Sequence, residues 1–433
     1  MKEKQLWLNI PASAWRFTVL LGICVCFQNV WANGFRNPPE GAVASGRVGK
    51  TALVEDASAI AHNPANVALL QAKDYVGSVA IADTETEYRS LDGVRQGKTT
   101  TDTAFLPALF FTSPATVKGK DVSFGFGVTS PWGQSTEWSE NGPFAFVGLH
   151  FAELLTIAFT PMTAFHISDN VLFGVGVDLA YSNLSLDQQF AWGSVTGNPA
   201  TPPGLMGVEG DGFGAGARLG LTWLVNERQR FAFTARTPME IDYEGDATVT
   251  SIPPPGALPG PLGAMVTPKS GFETEIDFPT VLAVSYGSKP SERMRFGVDF
   301  EWVGFSSFDR LPLDLGRNSV LLPFDSVPQG WRDTITIGFG GDYDVSDTLT
   351  LRAGYVWLES PVPPETLAPT IPDTHRHILN VGFGYEYKKH KFDVAYGISF
   401  YDDLIVSENV NPAYNGEYDI DSHLLQLTYN YRF

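Results

Sequence analysis

The residues able to do chemistry in this 433-residue chain are few and scattered. Seven histidines occur: His62, His150, His166, His375, His377, His390 and His423. His375 and His377 share one face of an extended segment and resemble half of a metal site, but no third ligand accompanies them. A hydrolase needs a serine or aspartate set beside histidine, and no such set is evident. These histidines read as rim residues. Both cysteines, Cys24 and Cys26, sit in an apolar N-terminal run, so the mature chain is expected to have no thiol chemistry. No catalytic residue, metal site or cofactor is expected. What remains is a set of arginines on the polar parity of alternating segments: Arg218, Arg236, Arg295, Arg352 and Arg376. A guanidinium grips a carboxylate through two parallel hydrogen bonds, so one of them could anchor an acidic ligand. More often such residues pair with inward acids, here Asp178, Asp299, Glu301, Glu386 and Asp393, as a structural network.

The segments that carry these arginines alternate with the period of a strand. In HLLQLTYNYRF at the C-terminus, Leu425, Leu427, Tyr429, Tyr431 and Phe433 oppose Gln426, Thr428, Asn430 and Arg432. RHILNVGFGYEY (376 to 387), KFDVAYGISF (391 to 400) and MRFGVDFEW (from Met294) repeat the pattern. Strands are expected near 74–89, 103–112, 121–130, 153–166, 170–186, 211–225, 229–243, 273–287, 293–306, 332–343, 347–358, 375–388, 390–402 and 422–433. Short connectors such as HISDN and YDVSD alternate with long ones at 131–152, 187–210, 244–272, 307–331, 359–374 and 403–421. Short turns on one side and long loops on the other are the layout of an outer-membrane barrel.

The polar faces are rich in glycine, serine and threonine rather than densely charged, which suits a hydrated lumen better than the outside of a soluble sandwich. Lipid offers no hydrogen bonds to a free strand edge, so fourteen membrane strands must close into a ring. The fold expected is therefore all-β, a 14-stranded antiparallel transmembrane barrel over residues 73–433. Tyr429, Tyr431 and Phe433 fall at its periplasmic aromatic girdle, and Phe433 ends the strand that the barrel assembly machinery would receive.

Lys2, Lys4 and Arg16 precede the apolar run FTVLLGICVCF, and Val30-Trp31-Ala32 supplies small residues for a peptidase. Residues 1–32 read as a cleaved secretory signal, too short in its apolar run to span a bilayer. Removing them leaves 26 basic and 47 acidic residues, a net charge near −21 that suits no nucleic acid. The chain is expected to be a monomer in the outer membrane of a Gram-negative cell, in contact with lipid and lipopolysaccharide.

Residues 33–72 do not alternate. Asp56-Ala57-Ser58 can start a short helix and Asn63-Pro64 can turn. A bore of this size needs filling, so this segment is expected inside it. Its sequence EDASAIAHNPANVALL resembles the N-terminal signature of the FadL family of outer-membrane transporters, with His62 where an aromatic is usual and Asn66 where a glycine is common. The resemblance continues through GVTSPWGQSTEW (127 to 138), LRAGYVW (351 to 357) and IPDTHRHILNVGFGYEY (371 to 387). It implies uptake of hydrophobic small molecules, long-chain fatty acids or hydrocarbons. It also implies an N-terminal hatch, with Asp56, Ser58, His62, Asn63, Pro64 and Ala65 at its gate. Ligand would be caught on extracellular loops, pass to a lumen pocket, and leave sideways where an early strand is kinked.

Two loops carry the apolar residues such capture needs: Phe190, Trp192, Leu205 and Met206 in 187–210, and Ile252, Leu258, Leu262, Met265 and Val266 in 244–272. They could also pack on each other as a lid. Pro131 with Gly125, Gly127 and Gly133 marks the place where the third strand could open, or where it merely ends. A general porin for hydrophilic solutes and an adhesin are the competing functions. The first would lack a plug, and the second would lack apolar clustering in its loops.

Overall fold

The computed structural model describes residues 34–100, 103–260, 262–322 and 325–433, so the expected signal segment lies outside the described residues. Fourteen antiparallel strands cross the wall. They are β1 (Asp74–Ser90), β2 (Ala104–Val117), β3 (Lys120–Thr129, continuing as Gly133–Glu137), β4 (Leu149–Ser168), β5 (Val171–Phe190) and β6 (Gly204–Asn226). Next come β7 (Gln229–Arg236, continuing as Met239–Val249), β8 (Lys269–Phe278, continuing as Val281–Ser291), β9 (Met294–Val303) and β10 (Thr334–Asp344). The last four are β11 (Leu349–Leu358), β12 (Arg376–Tyr387), β13 (His390–Tyr401) and β14 (Gly416–Arg432). Each pairs with the next, and β14 pairs with β1 from Asp74↔Arg432 to Ser90↔Gly416, which closes the ring. Ring closure leaves no whole strand at an edge, as a membrane barrel requires.

The strands run further out than alternation with apolar outward residues suggested. On β14 the outward residues are Tyr431, Tyr429, Leu427 and Leu425 near the C-terminus, but Asp421, Asp419 and Glu417 beyond them, while Tyr418 and Ile420 are buried inside. β1 does the same, with outward Tyr75, Val79 and Ile81 followed by Asp83, Glu85 and Glu87. The pleat continues unbroken, yet above the membrane the outside faces water and the inside becomes the apolar core, so the two faces exchange polarity. Consequently Phe190, Leu205 and Met206 lie in β5 and β6 rather than in a loop.

Two strands are broken where the sequence reading ran them through. Arg236 pairs with Val281 and Met239 with Phe278, which sets Pro238 opposite Pro279. Neither proline has an N–H for the ladder, and the pairing lapses there.

Residues preceding β1 form helices α1 (Ala42–Arg47), α2 (Lys50–Leu53) and α3 (Ala59–His62) and a 3-10 turn, Pro64–Leu69. Helix α1 packs on β10–β14, α2 on β7–β9, α3 on β3, and the 3-10 turn on β3–β6.

Candidate transport site

The N-terminal segment is fastened to the wall by its Asn-Pro-Ala turn. Asn63 is fully buried; its Oδ1 accepts from Ala65 N–H at 3.0 Å, and its Nδ2 donates to Thr51 O (2.9 Å) and Thr222 Oγ1 (2.8 Å). Pro64 starts the turn with its ring where no donor is required. The Pro64–Ala65 backbone rests on Gly174 of β5 and Gly220 of β6, where any Cβ would collide with it. Asn66 extends the anchor: its Nδ2 donates to Thr51 O and Val54 O, and its Oδ1 accepts from Thr222 at 2.7 Å. Upstream, Asp56 Oδ1 accepts from Ser58 N–H at 2.9 Å, so the aspartate, not the serine at the helix start, satisfies the exposed donor. His62 takes Glu40 O at 2.8 Å, and burial pushes its pKa below the ordinary imidazole range.

All five expected arginines have acidic partners. Arg218 holds Asp178 through two bonds (2.9 and 3.0 Å) and donates to the carbonyls of Ile60 (2.9 Å) and Ala61 (2.7 Å), so it ties α3 to the wall. Arg236 reaches the same Asp178 only at 3.6 Å and lies 5.9 Å from the Trp132 ring centre. Arg295 hydrogen-bonds Asp342 and Asp344, and Arg352 forms an ion pair with Asp393 at 2.8 Å. Arg376 bonds Tyr401 Oη at 2.9 Å and lies 3.7 Å from Asp373. Of the acids paired in expectation, Asp299 instead receives Lys50 N–H at 2.8 Å, and Glu386 is exposed near the end of β12. Two further arginines, Arg36 with Glu301 (2.5 and 2.9 Å) and Arg47 with Asp342 (2.9 Å), belong to the network but precede the first strand, where parity gives no signal.

His375 and His377 do not act together. His375 stands just before β12 and accepts from Ser360 N–H at 2.9 Å, whereas His377 Nδ1 meets Tyr355 Oη at 2.6 Å.

Two cavities follow one another along the bore. A lumen pocket of about 130 Å³ lies between the N-terminal segment and the wall, lined by Arg36, Lys50, Arg236, Val281, Ile378 and Leu424 among others. Toward the long loops, a larger chamber of about 760 Å³ is walled mainly by aliphatic side chains, including Leu154, Leu184, Leu186, Val208 and Ile276. Of the nine expected capture residues, only Met206 lines this chamber. Trp192, Leu258 and Val266 are buried, and Trp192 packs on Phe190 with ring centres 4.5 Å apart. Ile252 and Leu262 pack on the same core, Leu205 sits on the outward parity of β6, and Met265 is exposed. Alternation read with apolar residues outward does not find the inward residues of the chamber. The signal was present in MEIDYEGD (239 to 246), whose Glu240, Asp242 and Glu244 cannot face lipid.

The third strand is interrupted where the proline stands. β2 and β3 are paired from Val117↔Lys120 to Leu109↔Val128 and no further, so Ala104–Ala108 of β2 are paired on the β1 side alone. Beyond the interruption, β3 turns inward and pairs with the N-terminal segment: Asn37 N–H donates to Pro131 O (3.1 Å) and Gly133 N–H to Phe35 O (2.8 Å). Pro131 and Gly133 are thus at the break. Gly125 and Gly127 lie in the paired part of β3, where they make room for Ile60 of α3. An apolar patch of Ile378, Leu424, Ala80, Ala82, Ala104 and Leu106, flanked by Val356 and Leu358, runs along the inner wall from the lumen pocket to the one-sided stretch of β2.

Residues 23–433 match the family described as outer membrane protein transport protein (OMPP1/FadL/TodX). This chain belongs to that family. It is 23% identical over 436 residues to the long-chain fatty acid transport protein of Salmonella typhi, covering 95% of this chain and 97% of that one. In fold it is similar to a FadL homologue from Pseudomonas aeruginosa (TM-score 0.79, 22% identity, 92% of this chain and all of that one). It is also similar to the toluene transporter TodX of Pseudomonas putida (TM-score 0.70, 16% identity, 93% and 100% coverage). As a member of this FadL family, the protein is an outer-membrane transport protein built on a closed fourteen-stranded barrel.

Proposed function

We propose that this protein takes up hydrophobic small molecules, fatty acids or hydrocarbons, through the outer membrane and releases them sideways into it. A long-chain fatty acid transport protein and a toluene transporter are among its relatives, which bounds the cargo to that range. The observation that carries the reading is the succession of the aliphatic chamber, the lumen pocket, whose charged side chains border an apolar strip of Val281, Val356, Leu358, Ile378 and Leu424, and the apolar patch ending at Ala104 and Leu106 beside the unpaired edge of β2. An apolar molecule finds apolar side chains at each stage of that succession, and the charges beside the lumen pocket are paired with one another rather than turned to it.

In this reading, loops 191–203 and 250–268 form a lid whose exposed residues, Met265 among them, meet cargo first. Residues 33–72 are the hatch, held by Asn63, Pro64 and Ala65 and by Arg218, with Asp56, Ser58 and His62 fixing its local shape. The break at Pro131 and Gly133 is the exit, and the five arginines serve chiefly as a scaffold. The barrel works as a monomer and enters the membrane through the assembly machinery, which receives the β14 strand ending in Phe433.

Uptake of labelled dodecanoate and naphthalene by cells lacking the gene, complemented with the wild-type chain, tests the reading. Complementation should restore uptake of at least one of them; equal uptake with and without the protein would end it.

A further inference from the structure

At most of the short turns, bases and acids offset one another. Lys118 and Lys120 stand beside Asp121, Arg228 lies 4.0 Å from Glu292, and Lys289 is tied to Glu55 at 3.2 Å, while the β4–β5 and β10–β11 turns carry Asp169 and Asp347. The seam where β14 closes on β1 differs. Lys73, Lys388 and Lys389 are exposed there and form no ion pair among the described residues, and Lys388 Nζ rests 5.1 Å from the Tyr387 ring centre. The exposed anions nearby are Glu386, which lies opposite Lys391 in the ladder, and the main-chain carboxylate of Phe433.

The backbone brings two of these lysines together. Arg432 N–H donates to Lys389 O at 3.0 Å and Phe433 N–H to Lys73 O at 3.0 Å, so Lys389 and Lys73 flank the end of β14. They stand about two strand spacings apart, roughly 10 Å, a gap that two long flexible ammonium side chains can close around one phosphate. Arg432 itself turns to the N-terminal segment, where its Nη2 donates to Glu55 O at 2.9 Å.

On the membrane side of the lysines lies a continuous band of rings. Centres are 5.2 Å apart for Phe392 and Tyr429, 6.0 Å for Tyr429 and His390, and 5.1 Å for His390 and Tyr431. They are 4.9 Å apart for Tyr431 and Phe433 and 6.4 Å for Phe433 and Phe111, so the band runs from β13 to β2. An acyl chain can lie along this band while a headgroup stays level with the lysines, whose stems cover apolar surface and whose charges reach water. Unpaired cations above an apolar wall fit an anionic amphiphile better than a small hydrophilic anion or a neutral lipid.

We propose that the β13–β14–β1 seam binds an anionic phospholipid of the periplasmic leaflet, with its phosphate between Lys73 and Lys389 and an acyl chain on the ring band. A lipid held on both sides of β14 braces the place where the ring closes. The site lies apart from the cargo path, so its failure leaves the uptake reading standing and loss of uptake says nothing against it.

The test uses the purified full-length mature protein in a nonionic detergent, titrated with dioleoylphosphatidylglycerol or dioleoylphosphatidylcholine, with bound lipid counted by native mass spectrometry. The wild type should retain phosphatidylglycerol in preference to phosphatidylcholine. Lys73→Gln with Lys389→Gln should weaken phosphatidylglycerol binding about thirtyfold, roughly fivefold per lysine, and change phosphatidylcholine less than twofold. Lys73→Arg with Lys389→Arg should restore it. Arg228→Gln with Arg293→Gln removes two exposed charges from turns on the opposite side of the barrel and should leave it unchanged. Equal retention of the two lipids by the wild type, or equal weakening by the two Gln pairs, overturns the proposal. Displacement of phosphatidylglycerol by an equal concentration of inorganic phosphate also overturns it, because the seam would then read a bare anion. Heat-modifiable migration on a gel establishes that each variant is a folded barrel, and the single variants Lys73→Gln and Lys389→Gln carry the test if the pair does not assemble.

Discussion

At the scale of single residues, Asp178 does the most. Both its oxygens accept from Arg218 Nη2, it lies near Arg236, and it accepts from Thr160 at 2.6 Å, while Arg218 Nη1 in turn donates to two carbonyls of α3. Removing one partner of a buried ionic group leaves the others desolvated and uncompensated, a loss of about 3–5 kcal/mol. Asp178→Ala should therefore lower the thermal midpoint of the barrel in detergent by several degrees more than Thr160→Ala does. A second prediction concerns Glu55, in the loop between α2 and α3. Burial pushes its carboxyl up, but Arg230 and Lys289 pull it down further, to about 2. A carboxylate whose folded pKa is depressed contributes stability above its unfolded value, near 4.3, and loses it as pH falls toward the folded one. Protection of the 50–70 backbone against hydrogen exchange, taken relative to the intrinsic rate at each pH, should thus fall as pH drops from about 4.5 toward 2 in the wild type. Glu55→Gln should be weakly protected at every pH, and parallel protection curves for the two would remove this anchor from the account.

At the scale of elements, the joint between the N-terminal segment and the wall depends on glycine for lack of a side chain rather than for its backbone freedom. Gly174→Val would drive a branched side chain into the Pro64–Ala65 backbone and lift the turn off β5 and β6. The barrel should still assemble, because β4, β5 and β6 keep their pairing, but passage of a small polar dye into proteoliposomes should rise several-fold. The break between β2 and β3 is open to a different test. The mature chain is expected to have no cysteine, so Leu106→Cys with Pro131→Cys, spanned by a short bis-maleimide, would bridge the two strands where their pairing has lapsed. If cargo leaves there, cross-linking should abolish cellular uptake while either single variant, treated alike, retains it. Retained uptake in the bridged protein would move the exit elsewhere.

At the scale of the whole molecule, two zones share one set of strands. The zone nearer the short turns is greasy outside and polar inside, as a lipid-embedded ring must be; the zone beyond it is acidic outside and apolar inside, like a soluble β-protein. The N-terminal segment lies against the inner wall of the first zone, and the aliphatic chamber occupies the second. Because the wall is closed by β1 and β14 without help from residues 34–66, their deletion should leave a folded, heat-modifiable barrel that conducts polar dyes freely. An unchanged permeability would mean that this stretch does not obstruct the bore.

The number of strands, their antiparallel order and the closure at Phe433 were all present in the period of the sequence, since side chains that must alternate between lipid and lumen write a period of two wherever the strand crosses lipid. The arginines could be assigned inward for the same reason, because Arg218 and Arg352 fall on the parity opposite the lipid-facing residues. What the period could not reveal was the level at which the faces exchange polarity, because an alternating run reads the same whichever side is wet. The period therefore ends the strand before Leu205 and Met206, and it does not mark Leu184 and Ile276 as chamber wall. Contacts that join residues hundreds of positions apart, such as Arg36 with Glu301 or Phe35 with Trp331, leave no trace in local pattern. They exist only because ring closure brings the inner faces of all fourteen strands to the same bore, where a segment lying before the first strand can meet the ninth.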